Sequence, residues 1–325
     1  MSSDRPKLRS LLFVPGNKVE WLAKAEAAGA DAAVLDLEDA VPESGKAAAR
    51  ERVAEAVANA SGTMAIFVRI NPLDRWAAAE DLRAVARPGL AGVLLPKTRG
   101  PEDVVLADRM LTWCEREHGM PEGRVALVPL LESAAALRGA YEIGRAAPRV
   151  AYLGAVTGKG GDVERAVGYR WSPSGTETLE LRSRVLLDVR AAGVPCPVAG
   201  LWTAIGDLDG LRAFAEQNRS LGYEGMLAIH PSHVPVINEV FSPAPRSWTA
   251  TPGWSPPWRR RRRAARARSC SRARWWTRRW PPAPAPRCAT TLPRGSRGLT
   301  DPRLTGGGQW ESAPGASSST RKPPD

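Results

Sequence analysis

Asp36, Glu38 and Asp39 crowd the end of an apolar run that begins at Ala32. Carboxylates packed at the exit of a buried strand repel one another unless a proton or a cation neutralises them, so the cluster suggests a divalent metal site. Other polar side chains end similar runs: Arg69 before Ile70-Asn71-Pro72, Lys97 after Leu95-Pro96, Glu132 after Leu131, Asp162 after Gly160-Gly161, and His230 after Ile229. Each run is followed by a helix-like segment. In a parallel barrel the strand C-termini converge on one face, and residues this far apart in sequence then meet in one pocket.

The elements that would position these groups are legible as alternating apolar runs. Strands are expected at 9–15, 32–38, 65–70, 92–96, 124–131, 149–155, 198–203 and 225–230. Helices are expected at 17–28, 46–60, 74–87, 101–118, 133–146, 176–192, 207–221 and 233–241. Eight strand and helix pairs in alternation predict an α/β chain whose all-parallel sheet closes into a TIM (β/α)8 barrel. An open Rossmann-type sheet would want GxGxxG after the first strand, and Val14-Pro15-Gly16-Asn17-Lys18 does not supply it. The 325 residues exceed the roughly 250 that one barrel needs, leaving room for an appendage.

Composition divides the chain there. Residues 246–325 hold 18 Lys and Arg against three acids, with seven of the 12 tryptophans and 12 of the 29 prolines, so residues 1–245 are mildly acidic despite an overall charge of +12. The reading is a barrel domain over 1–245 and a disordered Arg/Pro/Trp-rich tail over 246–325. Two explanations compete for the tail. A basic aromatic arm would bind nucleic acid through phosphates and base stacking. A frameshift in GC-rich DNA would also enrich Arg, Pro, Ala and Trp. Written in codons as CGG TGG TGG ACG CGG CGG TGG and shifted by two nucleotides, Arg274-Trp275-Trp276-Thr277-Arg278-Arg279-Trp280 reads Val-Val-Asp-Ala-Ala-Val. That sensible sequence favours the frameshift over a nucleic-acid partner.

The polar N-terminus carries no signal-peptide pattern, and no apolar run reaches the roughly 18 residues of a membrane span, which excludes a membrane partner and predicts a cytoplasmic protein. Cys114, Cys196, Cys270 and Cys288 show no CxxC spacing, in keeping with a reducing compartment.

Six segments in order, Arg9 to Asn17, Leu35 to Val41, Val68 to Pro72, Leu94 to Lys97, Leu131 to Ser133 and Ile229 to Ser232, resemble the citrate lyase beta-subunit group of the HpcH/HpaI aldolase superfamily, the CoA-ester lyases. The resemblance spans about residues 8–243. It implies a Mg2+-dependent lyase that cleaves or forms a carbon–carbon bond between a 2-oxo acid and an acyl-CoA, of the citryl-CoA or malyl-CoA type, in a homotrimer or hexamer. Glu132 and Asp162 match the family's Mg2+ carboxylates. Asp36, Glu38 and Asp39 match its acidic strand end, with a strand terminus capped by hydrogen bonds as the plainer reading. Arg69 matches the arginine that grips the substrate's carboxylate or carbonyl; the alternative is an ion pair with an acid on a neighbouring strand end. Phe13 and Lys18 lie where the family contacts the CoA nucleotide. Lys97 is placed to stabilise an oxyanion or to pair with Glu132, and His230 to cap its strand or act in chemistry.

Two departures from the family stand out. Many members carry Gly-Ala-Glu-Asp at the sixth strand end, whereas here Gly154 to Asp162 delays the aspartate behind a glycine-rich loop. Beyond it, Gly168-Tyr169-Arg170-Trp171 is expected to form a pocket rim. The family's C-terminal segment, resembling Asp-Gly-x-Met-Val-Asp-x-Pro, folds over a neighbouring subunit's site and supplies a catalytic aspartate. The chain lacks it in the frame given, and the alternative frame recovers its core, so catalysis is expected to be impaired. A CoA-free aldolase of a small hydroxy acid and a non-catalytic barrel are the competing readings.

Overall fold

The computed structural model describes residues 5–60 and 62–243. The expectations for the tail, its frameshift included, and for the domain end at 245 concern residues outside that range, as do Cys270 and Cys288. Cys114 and Cys196 are buried free thiols.

Eight parallel strands pair in chain order: β1 (Ser10–Pro15), β2 (Ala32–Asp36), β3 (Ala65–Arg69), β4 (Leu90–Leu95), β5 (Ala126–Leu131), β6 (Tyr152–Ala155), β7 (Cys196–Ala199) and β8 (Gly225–Ala228). β8 pairs back to β1, Met226 beside Ser10 and Ala228 beside Leu12, which closes the barrel. Strands buried on both faces carry almost continuous apolar sequence, because one face fills the barrel and the other is covered by helices. Leu11, Val34, Phe67, Leu94, Val128 and Leu227 fill the interior. Their neighbours Leu12, Leu35, Val68, Val93 and Leu127 face outward onto Val53, Leu82, Leu111 and Ile237 of the helices.

The helices are α1 (Leu22–Ala27), α2 (Lys46–Ala58), α3 (Trp76–Val85), α4 (Pro101–Glu117), α5 (Ala134–Arg138), α6 (Ala140–Arg145), α7 (Asp162–Val167), α8 (Leu179–Ala191), α9 (Leu208–Leu221) and α10 (His233–Phe241). Five expectations need correction. The helices expected at 17–28 and 176–192 open with 3-10 turns over Val19–Trp21 and Thr176–Thr178, and that expected at 133–146 breaks at Gly139, a poor helix former. The strand expected at 198–203 starts at Cys196 and stops before Gly200. A Cβ there would stand 2.5 Å from the Thr157 nitrogen, so only glycine fits at this strand exit. Trp202, which reads as strand, instead packs in the helical layer against Trp171 and Phe214. Finally, α7 follows the glycine-rich loop directly, with Asp162 as its first residue.

Candidate active site

Strand parity builds the site. One step past the inward-facing Leu11, Val34, Phe67 and Leu130 come Phe13, Asp36, Arg69 and Glu132, which line a cavity of about 400 Å³ at the C-terminal mouth of the barrel. Asp39 joins them, and Leu130, Val156, Leu201, Leu227 and Ile229 make the remaining wall apolar.

Asp36 is the anchor of the polar side. The β2–β3 register sets it beside Arg69. Its Oδ1 accepts from Arg69 Nε at 2.7 Å and from the Glu38 amide at 3.0 Å; its Oδ2 accepts from Arg69 Nη2 at 2.6 Å and from the Ala40 amide at 3.1 Å. Arg69 Nη1 lies 2.9 Å from Glu38 Oε2, an ion pair without hydrogen-bond alignment, and 3.5 Å from Asp39 Oδ2. The guanidinium carbon sits 5.1 Å from the centroid of the Phe13 ring, a cation–π distance. Burial alone would lower the Arg69 pKa, but the hydrogen bonds and charges of Asp36, with Glu38 and Asp39, outweigh it and hold the pKa above its usual value.

Lys97 closes the other side of the acidic cluster. Its Nζ donates to Glu38 Oε1 at 2.6 Å. Burial raises the Glu38 carboxyl above the usual carboxylate range, against the pull of Arg69 and Lys97. The crowding of acids at the β2 exit, which the sequence reads as a call for a divalent metal, is therefore met by two protein cations. The ion pair weighed for Arg69 exists, with Asp36 and Glu38 as its partners, and the backbone-capped strand terminus exists too, through the Glu38 and Ala40 amides.

Glu132 stands apart. It forms no ion pair among the described residues; its partner is the backbone N–H of Lys97, 2.7 Å from Oε2. Burial pushes its carboxyl up to about 7; the Lys97 amide and Arg69 oppose that rise, and the Glu38 and Asp162 charges add to it. Asp162, partly exposed, accepts from Arg165 at 2.5 Å. Glu132 and Asp162 share a second cavity of about 250 Å³ with Asp39, Arg69 and residues 158–161. The glycine-rich loop thus brings the delayed aspartate to the same pocket as Glu132. Among the described residues no three His, Cys, Asp or Glu side chains cluster as a ready metal cage. Two oxygen donors, one of them short of positive charge, fit a hard cation that completes its shell with substrate and water oxygens, the habit of Mg2+.

The other expected residues fall outside this set. Lys18 is exposed, caps the 3-10 turn after β1 and lines neither cavity. His230 Nδ1 lies 2.7 Å from Ser232 Oγ and accepts from the Ser232 amide at 3.2 Å, capping the turn after β8. Tyr169 and Trp171 pack onto the helical core and line neither cavity, so the expected rim is corrected to a packed loop, tied down where the Trp171 amide donates to Glu164. Sequence reasoning missed the apolar wall, because Val156, Leu201 and Ile229 look like core. Inward parity carried past each strand end would have marked Val156 and Ile229.

The family model described as HpcH/HpaI aldolase/citrate lyase matches residues 9–231. The citrate lyase subunit beta-like protein of Deinococcus radiodurans is 37% identical over 250 residues, 75% of this chain and 83% of that protein. A (3S)-malyl-CoA thioesterase of Cereibacter sphaeroides is 33% identical over 252 residues, 75% of this chain and 81% of that protein. The structure of CitE from Mycobacterium tuberculosis in complex with magnesium, acetoacetate and coenzyme A superposes with a TM-score of 0.59 at 26% identity, covering 83% of this chain and 90% of that one.

Proposed function

The chain belongs to the HpcH/HpaI aldolase/citrate lyase family, and from that premise we propose that it is a Mg2+-dependent carbon–carbon lyase that splits a hydroxyacyl-CoA ester of the citryl-CoA or malyl-CoA type into an acyl-CoA and a 2-oxo acid. The observation that carries this reading is a braced guanidinium, Arg69, in one pocket with two carboxylates, Glu132 and Asp162. The malyl-CoA of the Cereibacter relative and the magnesium, acetoacetate and coenzyme A of the Mycobacterium structure support the substrate class.

Arg69 binds the oxo-acid end. Asp36 occupies two of its N–H groups, and the rest of the five-donor fork serves Glu38 and a substrate carboxylate. The apolar wall lowers the local dielectric and strengthens that hold. Glu132 and Asp162 hold Mg2+, which when bound supplies positive charge against oxygens that become negative as the bond breaks. Cleavage takes the proton from the substrate hydroxyl, passes the bonding pair to the carbon beside the thioester, and delivers a proton there. The aspartate of the family's C-terminal segment handles that proton, and its absence from the sequence as given impairs this chain. Phe13, which also stacks near Arg69 at the cavity wall, and Lys18, exposed just past β1, meet the coenzyme A nucleotide. The homotrimer or hexamer implied by the family belongs to the same proposal.

The test is release of 2-oxo acid from malyl-CoA and citryl-CoA with and without Mg2+, for the chain as given and for one with the frame restored from codon 246. Turnover by the restored form, and slower turnover by the other by roughly 100-fold or more, the usual worth of a general acid or base, is expected. No oxo acid from either would refute the lyase reading. Free CoA released together with intact malate would assign hydrolysis instead.

A further inference from the structure

Lys97 is held at both of its polar ends. In the turn after β4 it takes φ 49°, the one non-glycine residue at positive φ among the described residues. A side chain in this left-handed region presses Cβ toward the following carbonyl, and glycine is the residue that adopts it freely. Nothing in the packing asks for lysine: the residue is exposed, and Thr98 Oγ1, donating to the Leu95 carbonyl at 3.0 Å, ties the turn by itself.

What the conformation achieves is contact in two directions. The Lys97 amide donates to Glu132 Oε2 at 2.7 Å, and its ammonium donates to Glu38 Oε1 at 2.6 Å and stands 3.7 Å from Asp39 Oδ1. The other oxygen of Glu38 is 2.9 Å from Arg69 Nη1. One residue between β4 and α4 is therefore joined to the carboxylate just past β5 and, through Glu38, to the guanidinium on β3.

We infer that Lys97 is a positioning residue that sets the cation-binding and oxo-acid-binding halves of the site with separate atoms, an inference that rests on the lyase reading above. The amide occupies Glu132 Oε2, which stops the carboxylate from rotating and leaves Oε1 for the cation. That amide belongs to the turn in which Lys97 is left-handed, so a residue that forces the turn to rearrange displaces it from Glu132. The ammonium braces Glu38, which otherwise faces Arg69 with one oxygen and nothing with the other, and so keeps Arg69 aimed at the substrate.

Two substitutions in the full chain separate these roles. Lys97→Gly removes the ammonium and keeps the left-handed backbone without strain. Lys97→Val removes the ammonium and, being β-branched, drives the backbone out of that region. Calorimetric titrations of Mg2+ and of pyruvate read the two halves, and thermal melting checks that both variants fold. At the Glu132 site Lys97→Gly is expected to bind Mg2+ within about twofold of the parent, whereas Lys97→Val binds it about tenfold more weakly, the worth of one hydrogen bond to a charged group. Both should bind pyruvate about tenfold more weakly, by the same measure, and Lys97→Arg should recover part of that loss. Equal Mg2+ affinity in the Gly and Val variants overturns the role of the amide, and unchanged pyruvate affinity overturns that of the ammonium. A parent chain that binds no Mg2+ overturns the lyase reading itself, an outcome distinct from either.

Discussion

Replacing Asp36 by Asn tests what holds Arg69 in place. The 2% exposed Asp36 carboxylate receives four hydrogen bonds, two from Arg69 and two from the Glu38 and Ala40 amides. An asparagine keeps one acceptor oxygen and turns an NH2 group toward donors on the other side, so about half of the bonds are lost. The guanidinium also loses its nearest counter-charge, although Glu38 remains at 2.9 Å and Asp39 at 3.5 Å. Breaking a buried pair costs roughly 3–5 kcal/mol, and the remaining acids put Asp36→Asn near the lower end, about 3 kcal/mol. At roughly 2–4 °C per kcal/mol for a domain of this size, the melting temperature should fall by about 6–12 °C. Asp39→Asn is the control. Asp39 is 61% exposed and only grazes Arg69, so its substitution should cost ~0–1 kcal/mol. Thermal melting of both variants, with a double-mutant cycle through Arg69→Met, isolates the Asp36–Arg69 coupling. Equal melting temperatures for the two variants, or an additive cycle, would refute the reasoning.

Three further outcomes follow from the same geometry. Glu132 has a folded pKa of about 7 against an ordinary 4.5, so the metal-free folded state binds the extra proton between those values. Its stability should fall as pH rises through that interval, by up to roughly 3 kcal/mol, while Mg2+ affinity climbs until the carboxyl is ionised above about 7. Melts across that range with and without Mg2+ should diverge with rising pH, and parallel curves would count against Glu132 as a ligand. Glu132→Gln should flatten this dependence, and Asp162→Asn should weaken Mg2+ binding while leaving it in place; unchanged affinity in either removes that residue from the site. Gly154→Ala would set a Cβ 1.9 Å from the Val198 carbonyl oxygen, between β6 and β7 where the backbone cannot yield. It should cost about 3 kcal/mol or more, against about 1 kcal/mol for Gly160→Ala, which meets no neighbour but sits at φ +74°; similar chevron-plot or melting stabilities for the two would disprove the close approach.

The barrel is legible in the sequence because its strands are buried on both faces and end abruptly in polar residues, so each apolar run marks both an element and its exit. What fails is local. Trp202 extends an apolar run and reads as strand, yet the ladder ends at Ala199 and the indole packs instead on Trp171 and Phe214 of the outer layer. The six residues of α7 are too few to show a helical period behind three glycines. At the site, composition at strand ends identified Asp36, Asp39, Arg69, Glu132 and Asp162 as groups that converge, and the two cavities contain them. Their pairing was not legible. Whether Asp36 meets a metal or Arg69 depends on the β2–β3 register, which sets Asp36 beside Arg69, and no motif encodes that register.

The pairing also explains why the acids are divided between two strand ends. Asp36 and Glu38 each lie within 3 Å of the buried Arg69, a permanent counter-charge that makes them poor ligands for an exchangeable one, whereas the partner of Asp162 is the exposed Arg165, which can move aside. Glu132 is partly buried and has an amide for its partner, and an amide orients a carboxylate without neutralising it. A metal arriving in the mouth would therefore gain most at Glu132, where no ion pair offsets desolvation, and least at the β2 exit, where it would have to displace Arg69 or Lys97. Under the proposed site, selectivity would come from where buried protein cations are withheld. If that argument holds, the variant Lys97→Met, which strips one permanent cation from Glu38, should create a second, weaker Mg2+ site at the β2 exit, seen as biphasic calorimetric binding; a single unchanged phase would show that Arg69 alone suffices to exclude the metal there.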